Sequence, residues 1–138
     1  EFVDKTICNN DGHSLLNFAI TKGSSNIAVL LSQDPELVNM IDRNGHPPSV
    51  CFRKNIDENV LKTLINNGMD INKRSVIMAG DKAGQECGTL LHRIALFGTK
   101  DDFEIAKKYG ANSNVRNISQ ERPKDVLRRL DKATEFTL

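Results

Sequence analysis

The chain has no tryptophan, one tyrosine and six phenylalanines in 138 residues. That is too few aromatic side chains for a surface built to stack bases or sugar rings. No apolar run nears the roughly 18 residues of a membrane span, and no signal-peptide pattern opens the chain. Three cysteines, Cys8, Cys51 and Cys87, are odd in number and match no zinc spacing. They read as free thiols of a reducing compartment. A dominant charge is missing as well: 19 basic against 18 acidic residues leave +1. Neither nucleic acid nor an anionic membrane finds an electrostatic handle. Prolines number only four and glycines nine, while hydrophobic residues reach 38%. That is enough for a core and excludes wholesale disorder. The length fits one domain, and the expectation is a cytoplasmic monomer.

What the chain does contain is repetition, the first thing to test because a missed period mis-reads the whole fold. A turn followed by a helix start occurs at Gly12-His13-Ser14-Leu15-Leu16, Gly45-His46-Pro47-Pro48 and Gly88-Thr89-Leu90-Leu91-His92. A degenerate copy is Glu121-Arg122-Pro123-Lys124-Asp125. Ser14, Pro47, Thr89 and Arg122 are thereby equivalent, at spacings of 33, 42 and 33. A single asparagine recurs at Asn39, Asn72 and Asn114, and a helix-ending glycine at Gly68 and Gly110. Three independent markers share one period and one nine-residue excess.

The period and the segment Thr89-Leu90-Leu91-His92-Arg93-Ile94-Ala95 resemble the ankyrin repeat and its Thr-Pro-Leu-His-x-Ala signature. The turn Asp42-Arg43-Asn44-Gly45 and the repeat end Tyr109-Gly110-Ala111-Asn112-Ser113-Asn114 are the best copies of their parts. The match is divergent: Leu15 and Leu90 replace the family proline, Ser49 the helix leucine, and Phe52 and Ile94 the small alanine. The resemblance implies an all-α solenoid of stacked helix-turn-helix repeats with projecting finger loops. The repeats would span about 10–41, 42–73 and 87–116, with a partial fourth at 117–138 and an inserted loop at 74–86, all in one domain of residues 1–138. Thr6 sits at the position of Asn39, so residues 1–10 read as the tail of a preceding repeat and the whole as a piece of a longer protein.

Local chemistry points to the same boundaries. Ser14 and Thr89 can cap helix starts, and Pro48 and Pro123 suit a first helical position. Asp57 and Asp101 stand where second helices begin. Gly68 and Gly110 can take the left-handed conformation that stops a helix. Ile27, Leu30 and Leu31 follow helical spacing, as do Val60, Leu61, Leu64 and Ile65. The expected core comprises Leu16, Leu30, Leu31, Leu61, Leu64, Leu91 and Ile105.

Chemistry of the catalytic kind is not visible. Gly80, Gly84 and Gly88 precede no phosphate-loop lysine. Cys87 and His92 are spaced like a nucleophile and base, but His92 matches the family histidine that braces neighbouring turns. No enzyme activity, cofactor or metal is expected. The resemblance implies a protein–protein interaction module that uses finger loops and the exposed positions of each first helix. Those positions are His13 and Lys22 in repeat one, and Arg43, Asn44, His46, Arg53 and Lys54 in repeat two. Leu96 and Phe97 follow in repeat three, with Val76, Ile77 and Met78 of the inserted loop beside them. The partner would be another protein, with an acidic patch beside an apolar one. Two other classes stand beside this reading. One is a recruiting domain of a larger enzyme or of a secreted bacterial effector acting in host cytosol; the other is a spacer without a ligand.

Overall fold

A computed structural model describes residues 7–52, 55–75 and 88–136. Among these residues no strand forms, and the chain is all-α. In order run α1 (Leu15–Thr21), α2 (Ser25–Leu31), a single 3-10 turn (Pro48–Cys51), α3 (Glu58–Asn66), α4 (Leu90–Phe97), α5 (Lys100–Lys108) and α6 (Pro123–Arg129).

The starts are set by side chains that satisfy orphan amides. Ser14 Oγ accepts from Asn17 N at 3.1 Å. Asp57 Oδ1 accepts from Asn59 N and Val60 N at 3.1 and 3.3 Å. At α5 the cap is Thr99, two residues before the expected Asp101. Thr99 Oγ1 accepts from Asp102 N at 3.2 Å, and Asp102 Oδ2 accepts from Thr99 N at 3.0 Å, a reciprocal capping box. After α3 and α5 the chain turns at Gly68 (φ 104°) and Gly110 (φ 101°). A Cβ at either would meet nothing within 4 Å, so glycine is required there for its backbone freedom alone.

The turns between helix pairs repeat as closely as the sequence does. Asn9 N donates to His13 O at 2.8 Å, Asp42 N to His46 O at 3.0 Å, and Asn117 N to Glu121 O at 2.8 Å. Ser75 N closes the fourth turn on Gly88 O at 2.7 Å. The extra length therefore lies between Ser75 and Gly88, in residues 76–87, which fall outside the described residues together with Val76, Ile77 and Met78.

One helix is shorter than the pattern predicts. The first helix of the second unit is only the 3-10 turn. Pro47 and Pro48 supply no amide, Ser49 and Val50 are poor helix formers, and Phe52 is already extended (φ −76°, ψ 114°). Asn55 then takes a positive φ of 54°. Contacts run α1 to the 3-10 turn to α4 to α6, and α2 to α3, with α1 on α2 and α4 on α5. Leu16, Leu61, Leu64 and Leu91 are buried between them, as expected. Leu31 and Ile105 are half-buried. Leu30 is not core: it is 66% exposed, because it lies on the face of α2 turned away from α3, where Ala28 faces inward.

Candidate interaction surface

Three of the four turns, those at Asn9, Asp42 and Asn117, are built by an Asn or Asp at the first position; the other begins at Ser75. Asn9 Oδ1 accepts from the amides of Asp11 and His13 at 3.0 and 2.9 Å. Asp42 Oδ1 accepts from those of Asn44 and His46 at 2.9 and 3.0 Å. Neighbouring turns are then tied together. Asn44 Nδ2 donates to Asp11 O at 2.8 Å, and the Arg43 guanidinium donates to the carbonyls of Cys8 and Asn9. A Cβ at Gly12 would sit 2.7 Å from Asn44 Oδ1, so glycine there lets the two turns approach. Arg43 and Asn44, expected as contacts for a partner, are thus engaged within the molecule. The sequence shows that turns exist; it does not show that consecutive turns touch.

The histidines divide by role. His46 is half-buried, with Nδ1 3.1 Å from Ser75 Oγ of the next turn. His13 is half-buried against Phe18, ring centroids 6.3 Å apart. His92, outside the expected surface, is fully buried. Its Nε2 lies 2.7 Å from Glu121 O, and Thr89 N donates to its Nδ1 at 3.1 Å. A carbonyl can only accept and an amide only donate, so the ring is neutral with its proton on Nε2. Burial, above all, lowers its pKa from the ordinary 6.5, against the opposing pull of the Glu121 carbonyl. In the first unit Asn17 stands in the same place: its Nδ2 donates to His46 O at 3.0 Å and to Asp42 Oδ2 at 3.0 Å.

Asparagines at the repeat ends make a second set of ties. Asn39 Nδ2 donates to Gly68 O at 2.9 Å, and Asn39 Oδ1 accepts from Asp70 N at 2.7 Å. Asn72 does the same one unit on, to Gly110 O at 3.1 Å and from Asn112 N at 2.7 Å. Two markers that are merely periodic in sequence meet in space. Asp102 also crosses units. It is buried and accepts from the amides of Asn55 and Ile56 at 3.1 and 2.9 Å. The Thr-x-x-Asp pattern at Thr99–Asp102 was the available signal.

Among the described residues, Lys22, Asn55 and Phe97, equivalent positions of successive units, form one row in which all three are exposed. Lys22 Nζ lies 5.7 Å from the Phe18 ring centre. Phe97 is 53% exposed and carries the Arg93 guanidinium 5.6 Å above its ring. A cleft of about 350 Å³ opens beside Lys22 and Asn55, floored by Ala19, Ala28 and Val60. Ser25 Oγ donates to Asp57 Oδ2 at 2.9 Å across this cleft. Leu96 is half-buried against the core and is no free contact. Arg53 and Lys54 lie outside the described residues.

Among the described residues no group of three or more His, Cys, Asp or Glu is placed to hold a metal ion. No helix among them is long and apolar enough to cross a membrane. No protein-family model and no curated protein matches the chain, so this surface is read from its own chemistry.

Proposed function

We propose that the chain is a divergent ankyrin-like array of helix pairs and works as a binding module for another protein. The recurring turn closures, the Asn39 and Asn72 ties and the glycine stops support the array. Phe97 carries the binding. Helix α4 is buried from Leu90 through Ala95, yet its last residue, Phe97, turns an aromatic ring to solvent. A ring on a rigid helix loses little freedom on binding, and an aromatic stacked under an arginine is the pairing in which interface energy concentrates. Lys22 in the same row adds positive charge that would steer an acidic partner. The partner therefore offers an apolar pocket rimmed by carboxylates. Binding of this kind needs neither cofactor nor catalytic group, and a reducing cytosol is its setting.

The test uses the chain as bait and compares Phe97→Ala with the parent for a captured partner. The expected result is at least about a tenfold weaker Kd, equivalent to roughly 1.4 kcal/mol, with an unchanged melting temperature. Unchanged affinity overturns the proposal.

A further inference from the structure

We propose that the cleft beside Lys22 and Asn55 receives a leucine or phenylalanine side chain of the partner, on a segment with an Asp or Glu next to it. This rests on the reading of the chain as a binding module for another protein, and not on the part Phe97 plays in it. The cleft has a cause in this sequence. In the first and third units the first helix runs to Thr21 and Phe97. In the second it ends at Cys51, after two prolines that supply no amide. Phe52 (φ −76°, ψ 114°) and Asn55 (φ 54°) have left the helical path that their equivalents, Ile94 and Phe97, still follow. The residues at that break, Cys51, Phe52, Asn55 and Ile56, line the cleft.

Floor, rim and charge select the occupant. The floor is apolar: Ala19, Ala28, Phe52 and Val60 are buried, and the two alanines leave depth for a side chain. The rim is open, with Thr21, Lys22, Gly23, Asn55 and Asp57 exposed. A free small molecule is held by burying most of its surface, whereas a side chain on a polypeptide brings its own main chain to cover the mouth. Charge fixes the neighbour. The Asp57 carboxylate is already taken, by the amides of Asn59 and Val60 and by Ser25 Oγ. The Lys22 ammonium lies over the Phe18 ring and forms no ion pair among the described residues. It is left for a carboxylate of the partner. The wall is also fixed before binding. Asp102 accepts from the amides of Asn55 and Ile56, and from that of Thr99 just beyond Phe97. The cleft and Phe97 thus share one anchor, which keeps the cost of ordering them low.

The experiment titrates the isotope-labelled chain at low salt with N-acetyl-Leu-Glu-amide and follows its backbone amides by NMR. N-acetyl-Gly-Glu-amide and N-acetyl-Leu-Lys-amide are the comparison probes. The expected result is saturable shifts at Ala28, Asn55 and Val60 with the first probe. Affinity should be about tenfold weaker without the leucine, and about threefold weaker with lysine in place of glutamate. Lys22→Glu, a change at an exposed position, should reverse the order of the glutamate and lysine probes. Absent shifts, shifts confined to the Leu15 and Phe18 face, equal affinity for all three probes, or an unchanged order in Lys22→Glu overturns the proposal. The two readings fail separately. Absent shifts strike the cleft and leave Phe97 standing, while unchanged partner affinity in Phe97→Ala, with these shifts present, strikes Phe97 and not the cleft.

Discussion

His92 concentrates the chemistry of this chain in one ring. Both nitrogens are committed, one to a carbonyl of the next turn and one to the amide that starts its own helix. Replacement by leucine leaves a buried carbonyl and a buried amide without partners, at a cost of about 2–3 kcal/mol. His92→Asn keeps a donor toward Glu121 O, as Asn17 does toward His46 O, and should cost less. The two variants also differ from the parent in pH response. Burial lowers the folded pKa of His92 below its ordinary 6.5. On acidification the unfolded chain therefore binds the proton first, and stability falls with pH. The contribution is complete above about pH 6.5 and is lost as pH drops from there through the folded value. Melting temperatures at pH 7.5 and 5.5 should separate more in the parent than in His92→Asn. Equal separations would mean that His92 is not the titrating group.

At the level of elements, helices in this chain are too short to stand alone, so each depends on the face it buries. Leu64 on α3 is fully buried in the hydrophobic core. Leu64→Ala should cost about 2–4 kcal/mol, read as a lowered midpoint in urea with little change in slope. A midpoint shift within error would place α3 in another register. The elements were legible in sequence where a residue's role is local. Asp57 caps, Gly68 and Gly110 stop helices, and Leu61 and Leu64 point inward, because helical spacing and capping chemistry act within a few residues. Leu30 was not legible. Helical spacing puts Ile27, Leu30 and Leu31 on one apolar arc, but it does not say which edge of that arc has a neighbour. Pro47-Pro48 gave a helix start and hid how little helix follows. Arg43 and Asn44 looked free because their acceptors, the carbonyls of Asn9 and Asp11, lie some 33 residues away in sequence. Phe97 was legible as exposed because its place in the repeat, not its hydrophobicity, decides where it points.

For the whole molecule, the two ends are unlike, and that asymmetry has a measurable consequence. Toward the carboxyl end the last described residues fold inward. Phe136 is buried, its ring edge-on to Phe103 at 5.6 Å, and Lys132 Nζ donates to the carbonyls of Ala95 and Leu96 at 3.4 and 3.2 Å. A cation on the last carbonyls of α4 is favourable to the negative end of that helix. The amino end keeps Leu15, Phe18, Ile27 and Leu30 open. If contacts pass only between neighbours, a defect at one end is felt there first and fades along the chain. Phe136→Ala removes a buried ring, worth about 3–5 kcal/mol locally. Amide hydrogen exchange should accelerate in α5 and α6 and remain at parental rates in α1 and α2. In the parent itself, α1 and α2 should exchange faster than α4, which has neighbours on both sides. Uniform acceleration of every helix by Phe136→Ala would show that the chain opens as one cooperative unit, and coupling limited to adjacent pairs would be the wrong physical picture.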